Sequence, residues 1–291
     1  MRGEARLFGV LGDPVDHSLS PAMHNAAFLA CELPYLYLRF RVSSEVLPQA
    51  LAEARRLDMG GLNLTVPLKE VALGLLDDVT PEARRIGAVN TIVLEDGRLR
   101  GDNTDARGFL RSLAGRVALE GGHAVLIGAG GSARAVGTAL ATAGVRHVTI
   151  ANRTLTRAAD LARTLEDLGP LRTTIASLDA LEDGVGLSDA RLVVNTTSTG
   201  LGNDPIAVRH GATPHDCVFM DLVYGAQPTP FLRAAARGRR RTLDGSGMLL
   251  HQGALAFEAW TGRPAPLDAM RRALADAGLA IGAAPPAAKG H

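Results

Sequence analysis

Lys69 is the first residue that calls for a chemical explanation. The 291-residue chain holds 31 lysines and arginines. Only two are lysines, Lys69 and Lys289. Arginine keeps its proton at any ordinary pH, whereas a lysine amine can exchange one. A lone internal lysine in an arginine-rich chain fits a site that needs proton transfer; the plain alternative is a compositional bias that spared one lysine. Lys69 closes the segment Asn63-Leu64-Thr65-Val66-Pro67-Leu68-Lys69, and two more polar segments follow, Asn90-Thr91 and Asn103-Thr104-Asp105. Ligands of open α/β sheets sit outside the carboxyl ends of the strands. Asn63, Thr65, Lys69, Asn90, Thr91, Asn103, Thr104 and Asp105 are therefore expected to converge on a pocket for a polyhydroxylated molecule. Lysine beside aspartate makes an acid/base pair, the carboxylate fixing the amine and the amine handing a proton to a developing alkoxide. Singly, each of these residues also reads as a turn or a cap.

Two further segments could hold anions. Ser18-Leu19-Ser20-Pro21, with His24-Asn25 after it, places two hydroxyls ahead of a helix begun by proline. Such hydroxyls and helix N–H groups suit a small carboxylate. Simple capping by Ser20 is the alternative, and it leaves Ser18 unexplained. Gly128-Ala129-Gly130-Gly131-Ser132-Ala133 follows an apolar run and opens an alanine-rich one. Between a strand and a helix, such glycines let the backbone turn tightly against a pyrophosphate, and the helix N-terminus faces the phosphates. The second strand of a dinucleotide fold that prefers NAD ends on an acidic residue. Here it ends on Asn152-Arg153-Thr154, with Arg157 one helical turn on. Two guanidinium groups suit a 2′-phosphate, so the cofactor is read as NADP.

Strands and helices must alternate to position these residues. The periodicity predicts strands over 7–11, 35–42, 61–65 and 88–94, with helices over 21–31, opened by Ser20 as N-cap, and over 44–57. A helix over 106–113 then leads into strands 123–127, 146–151, 192–194 and 218–220, with helices over 133–143 and 157–168 between them. Helices over 249–261 and 267–277 follow, then a loose tail from residue 283. The pattern predicts two α/β domains, the second Rossmann-like. The domains are expected at 1–105 plus 248–291, and at 106–247.

Composition narrows the function classes. A formal net charge of +1 does not favour a polyanion partner. The run from Arg237 to Arg241 reads as a solvated turn. The two cysteines, Cys31 and Cys217, are too few for a disulfide framework and lack metal-ligand spacing, so they are expected to be inert and buried. No metal is expected. No apolar run reaches the ~20 residues that span a bilayer, and no secretory segment is read at the N-terminus. The expected setting is soluble and cytoplasmic.

With these motifs in place, the chain closely resembles the shikimate dehydrogenase family. The resemblance runs from the Ser18–Pro21 segment through Asn63–Lys69, Gly87-Ala88-Val89-Asn90-Thr91, Asn103–Asp105, the Gly128–Ala133 loop and Asn152-Arg153-Thr154. It continues through Asn195-Thr196-Thr197, Asp221-Leu222-Val223-Tyr224, Thr229-Pro230, Asp244–Leu249, Gln252 and Phe257–Gly262. The resemblance implies a substrate-binding open sheet, an NADP-binding Rossmann-like domain and a cleft between them. It implies Lys69 and Asp105 as the catalytic pair. Ser18, Ser20 and Tyr224 would hold the substrate carboxylate, and Thr65, Asn90, Asp105 and Gln252 its hydroxyls. Gly128, Ala129, Gly130, Gly131, Ser132, Ala133, Asn152, Arg153, Thr154 and Arg157 would hold the cofactor, with Leu222, Gly245 and Met248 near its nicotinamide. The implied reaction is reversible, NADP-dependent reduction of 3-dehydroshikimate to shikimate in aromatic amino-acid biosynthesis, by a monomer or homodimer. Quinate/shikimate or aminoshikimate dehydrogenases are the near alternatives. A non-catalytic NADP sensor is the distant one, and it predicts a broken Lys69–Asp105 pair. The family usually carries a proline two residues after the tyrosine, where this chain has Ala226.

Overall fold

A computed structural model describes residues 5–197 and 206–279. The tail predicted from 283, and Lys289 within it, lie outside the described residues. The chain divides into two compact units. One comprises the residues up to Gly108 with Leu249–Gly278, and the other spans Phe109–Met248.

The first unit carries β1 (Arg6–Gly12), α1 (Ser20–Ala30), β2 (Tyr35–Arg41), α2 (Leu47–Arg56), β3 (Gly61–Leu64), α3 (Leu68–Val71), β4 (Asp78–Val79), α4 (Pro81–Ile86), β5 (Thr91–Glu95) and β6 (Arg98–Asp102). Its six-stranded sheet has the order β2-β1-β3-β5-β6-β4. β1 pairs in parallel with β2 and β3, whereas β5 runs antiparallel to both β3 and β6. β3 is buried throughout, as expected of a strand covered on both faces. One side chain layer packs Leu11, Leu51, Leu62, Leu64, Leu68 and Ile92 into a single core.

The β5–β6 hairpin was not predicted, although its signal is present. Asp96 and Gly97 both have positive φ, at 50° and 71°. An Asp-Gly pair in that conformation makes the two-residue turn whose twist matches antiparallel strands. The hairpin changes where the polar segments sit. The sequence pattern puts Asn90-Thr91 inside a strand over 88–94; the strand instead begins at Thr91. Because β5 is antiparallel, its start lies beside Asn63 near the end of β3 and beside Asp102 at the end of β6. Three segments distant in sequence thus meet on one edge.

The starts of α1 and α2 also shift. α1 begins at Ser20 with Leu19 at the N-cap, so Ser20 is not the cap. Instead the Ser18 hydroxyl accepts from the Ser20 N–H at 3.3 Å. α2 starts at Leu47 rather than 44, with Pro48 in its first turn, where a missing N–H costs nothing.

After α5 (Asp105–Leu113), the second unit carries β7 (His123–Ile127), α6 (Gly131–Thr142), β8 (His147–Ala151), α7 (Leu155–Glu166), β9 (Arg172–Ala176), β10 (Ala190–Asn195), β11 (Val218–Asp221), α8 (Pro230–Arg237) and β12 (Arg241–Leu243). Its sheet is wholly parallel, in the order β12-β11-β10-β7-β8-β9. Strand order reverses between β7 and β10, the place where doubly wound sheets take ligands. β9 and β12 were not predicted; both are partly exposed edge strands. The arginine run from 237 to 241 is the end of α8, a turn and the start of β12. α9 (Ser246–Thr261) and α10 (Leu267–Asp276) complete the fold. Cys217 is buried and burial pushes its thiol up to about 12, but Cys31 is only partly buried, because it caps the end of α1.

Candidate active site

In the first unit, the polar edge is one connected hydrogen-bond network. Lys69 leaves the four-residue α3, whose backbone is tied down when the Lys69 carbonyl accepts from the Val89 N–H at 2.8 Å. Its Nζ lies 2.6 Å from Asp105 Oδ2. Both side chains are largely buried, 13% exposed for Lys69 and 5% for Asp105. At such depth each charge depends on the other, since an unpaired buried charge is costly. The other carboxylate oxygen, Asp105 Oδ1, accepts from Asn90 Nδ2 at 2.8 Å. Asn90 Nδ2 also lies 3.0 Å from Thr104 Oγ1 and 3.3 Å from Gln252 Oε1. Gln252 reaches this point because Gly108 lets α5 approach α9: a Cβ there would sit 2.7 Å from the Gln252 Cβ.

Not every residue predicted to line a pocket does so. Thr91, Asn103 and Thr104 are wholly buried, and Asn63 nearly so. Asn103 is a cap: its Oδ1 accepts from the Asp105 N–H at 3.0 Å and its Nδ2 donates to the Ala88 carbonyl at 2.8 Å. Asn63 bridges the Asn90 carbonyl and Thr91 Oγ1, and its Oδ1 accepts from the Tyr37 hydroxyl at 2.7 Å. Residue type and strand-end position suggested a pocket, but the hairpin turns these groups inward. Tyr37 was missed, since a tyrosine in an alternating strand reads as packing. Lys69, Thr65, Asn90, Asp105 and Gln252 belong to this one network or adjoin it. Thr65 sits at the end of β3 and packs on β1, a Cβ at Gly12 falling 2.2 Å from its Cγ2.

Ser18 and Ser20 precede and open α1. Accepting from Ser20 leaves the Ser18 hydroxyl hydrogen for an anion. Arg39 Nε donates to the Ser18 carbonyl at 2.9 Å, which fixes the loop. His24, on the same helix, is fully buried and stacks on Tyr37 at 4.5 Å. Burial lowers its pKa to about 3, so the ring is neutral.

The second unit shows the other kind of site, made of backbone. Gly128 has φ +113°, and a Cβ there would lie 2.5 Å from Thr196 Oγ1. Thr196 is held against β7 by two bonds to the Ile127 carbonyl, at 2.9 and 2.7 Å. Gly130 caps the twelve-residue α6 with no side-chain cap hydrogen bond, so no cap side chain stands between a phosphate and the helix N-terminus. Gly131 and Ser132 open α6, Ala129 is nearly buried before it, and Ala133 is wholly buried, the small residue that close helix–strand packing requires. Asn152 shapes the turn after β8 by donating to the Thr154 carbonyl at 2.8 Å, and Arg153 and Arg157 are exposed at the start of α7.

Leu222 and Gly245 touch through backbone, a Cβ at Gly245 falling 2.0 Å from the Leu222 carbonyl oxygen. Met248 is nearly buried close by in sequence, and Tyr224 is half-buried in the loop after β11. That loop is anchored by Asp221, which accepts from Asn195, the Val223 N–H and Thr229 at 3.0, 3.1 and 2.7 Å. Burial raises the Asp221 pKa and these bonds oppose the rise. A glycine cradle, an uncapped helix N-terminus and paired arginines fit a dinucleotide with a phosphorylated ribose.

Known proteins share this fold. The shikimate dehydrogenase substrate binding domain profile matches residues 10–92, the shikimate / quinate 5-dehydrogenase profile residues 112–201, and the shikimate 5′-dehydrogenase C-terminal domain profile residues 245–275. A Symbiobacterium thermophilum protein named shikimate dehydrogenase (NADP(+)) is 46% identical over 280 residues, covering 94% of each chain. The chain belongs to the shikimate dehydrogenase family. The crystal structure of the Thermus thermophilus shikimate 5-dehydrogenase, in complex with NADP(H) and shikimate, aligns with a TM-score of 0.81 at 44% identity, covering 94% of this chain and 99% of that one. A Corynebacterium glutamicum quinate dehydrogenase in complex with NAD is also similar, at 33% identity and TM-score 0.83, with 94% and 99% covered. Among the described residues, no helix is long and apolar enough to cross a membrane, and no group of three or more His, Cys, Asp and Glu side chains could hold a metal.

Proposed function

We propose that this shikimate dehydrogenase family member interconverts 3-dehydroshikimate and shikimate with NADP(H), as an oxidoreductase of aromatic amino-acid biosynthesis acting in the cytoplasm as a monomer or homodimer. The observation that carries the reading is the 2.6 Å contact between Lys69 and Asp105 inside a satisfied polar network. A sensor that only bound the cofactor would have no use for it. Bound NADPH supplies the hydride for the C3 carbonyl. Lys69 Nζ gives its proton to the carbonyl oxygen as negative charge develops there, and Asp105 keeps the amine in place. In the reverse direction the amine takes the hydroxyl proton. Ser18 and Ser20, with Tyr224, hold the carboxylate and so choose which ring carbon reacts. Thr65, Asn90 and Gln252, with Asp105, bind the ring hydroxyls. Positioning of this kind supplies a large part of a rate enhancement. Gly128 to Ala133 cradle the pyrophosphate, Asn152 to Thr154 with Arg157 hold the 2′-phosphate, and Leu222, Gly245 and Met248 bound the nicotinamide.

Quinate turnover is the second reading, favoured by the likeness to a quinate dehydrogenase. Quinate adds a hydroxyl beside the carboxylate, where quinate-using relatives often carry threonine in place of the serine found here at Ser20. NADP⁺ and NAD⁺ reduction at 340 nm, with shikimate and quinate side by side, tests both. Turnover confined to shikimate with NADP⁺ is expected. Comparable quinate turnover, or preference for NAD⁺, would overturn the Ser20 and Arg153 assignments.

A further inference from the structure

Thr91 is wholly buried, so its hydroxyl meets no ligand, yet it stands at the node of the polar network. Its Oγ1 donates to Asn90 Oδ1 at 2.9 Å and accepts from Asn63 Nδ2 at 3.1 Å, with Thr104 Oγ1 at 3.3 Å. Two backbone groups fix the direction of these bonds. The Thr104 N–H donates to Asn90 Oδ1 at 2.8 Å, so Asn90 Nδ2 must face the other way, toward Asp105 Oδ1. The Asn90 carbonyl accepts from Asn63 Nδ2 at 3.0 Å, so Asn63 Oδ1 must face the Tyr37 hydroxyl.

An amide oxygen has two lone pairs. One on Asn90 takes the Thr104 N–H, and the Thr91 hydroxyl is the better placed of the two hydroxyls for the other, since Thr104 Oγ1 lies at 3.2 Å and itself accepts from Asn90 Nδ2. The terminal torsion of asparagine is soft, so each bond lost loosens the amide. Without the Thr91 hydroxyl, Asn90 Oδ1 would keep the Thr104 N–H and the longer contact to Thr104 Oγ1 but lose its shorter hydroxyl donor, and the amide that donates to Asp105 would be held less firmly.

We propose, resting on the acid/base assignment of Lys69 and Asp105 above, that Thr91 is a positioning residue for that pair. It locks the Asn90 amide, and the amide locks the carboxylate against which Lys69 rests. A misplacement of about 1 Å can cost ~10²-fold in rate, and freeing one rotamer is a smaller disturbance, so about a tenfold loss is expected.

Three variants of the full chain test this. Thr91→Val removes the hydroxyl and keeps the shape, Thr91→Ser keeps the hydroxyl, and Thr91→Cys leaves a weak donor. Each is assayed for kcat and for both KM values at a temperature where circular dichroism shows it folded. The valine variant is expected to lose about tenfold in kcat with the cofactor KM within about twofold and the substrate KM raised as Asn90 loosens, and serine to stay within about twofold of the parent throughout. Cysteine should fall between them. A purely structural Thr91 would lower the melting temperature and leave kcat intact. A folded valine variant at full kcat overturns the proposal. So does a serine variant as slow as valine, and so does a cysteine variant at full kcat where valine does not fold. Lys69→Ala is measured alongside. If it keeps full kcat, the acid/base reading falls and takes this proposal with it. If it is slow while Thr91→Val is not, only the role of Thr91 is lost.

Discussion

The edge of the first sheet and the edge of the second are built on opposite plans. In the first unit, chemistry is held by side chains that satisfy one another: Lys69 on Asp105, Asp105 on Asn90, Asn90 on Thr91 and Thr104. In the second, side chains are withdrawn and backbone is offered, through Gly128, the uncapped start of α6 and the bare contact of Gly245 with Leu222. A reacting centre must place a proton donor within a few tenths of an ångström, and a network of fixed bonds does that. A dinucleotide phosphate needs close approach and many N–H groups, which any side chain would obstruct.

The contrast is sharpest in two substitutions with opposite signatures. Lys69→Ala should lower kcat by about 10²-fold or more while leaving NADPH affinity, followed by its fluorescence, near the parent value. An intact kcat with a raised KM would make Lys69 a binding residue and dissolve the contrast. Gly128→Ala should do the reverse. Its Cβ falls 2.5 Å from Thr196 Oγ1 at a φ of +113°. Such strain costs about 1–3 kcal/mol, seen as a lowered melting temperature and about a tenfold or greater loss of NADPH affinity. Unchanged cofactor binding would remove the glycine loop from the site.

Arg153→Ala probes the one place where side chains serve the second unit. Charge-assisted bonds to a phosphate are worth about 1.5–3 kcal/mol, so preference for NADP⁺ over NAD⁺, as the ratio of kcat/KM values, should fall about tenfold or more. An unchanged ratio would pass the 2′-phosphate to Arg157 or elsewhere.

The smallest expected effect concerns an exception inside the well-satisfied first unit. Both His24 ring nitrogens are buried without a hydrogen-bond partner. Its pKa is lowered from 6.5 to about 3 by burial. The unfolded chain therefore binds a proton that the folded chain refuses between those values. Stability is fully present above pH 6.5 and declines as pH falls toward 3, by about 2 kcal/mol at pH 5. His24→Phe, which keeps a ring on Tyr37, should flatten that decline in urea titrations at pH 7 and pH 5. An equal decline in both proteins would assign the acid sensitivity to other groups.

Much of the second unit was legible because its signals are local. The glycine loop, the apolar strand before it and the alanine-rich helix after it lie within about twenty residues, and the missing acid at Asn152-Arg153-Thr154 can be read from the chain directly. The first unit was legible in type but not in arrangement. Asn103 read as a pocket residue and proved a cap. Ser20 read as a cap, but the helix starts on it and Ser18 supplies the hydroxyl bond. Thr91 read as pocket lining and is buried. The Asp96-Gly97 turn signal was in the sequence, but the unpredicted strand after it hid the reversal that it produces.

Residue chemistry is what the sequence determined by itself. It set a lysine amenable to proton exchange, a carboxylate to partner it, glycines able to take positive φ, and arginines where an acid would select NAD, because these properties belong to side chains and local backbone. Tertiary structure decided which of these groups touch. Asn63, Thr91 and Asp102 become neighbours only when β5 pairs antiparallel with β3 and β6. Lys69 meets Asp105 across 36 positions of chain for the same reason. Strand pairing is a long-range choice made by burial and register. The Asp96-Gly97 turn encodes the β5–β6 hairpin, but no local pattern encodes the pairing of β5 with β3.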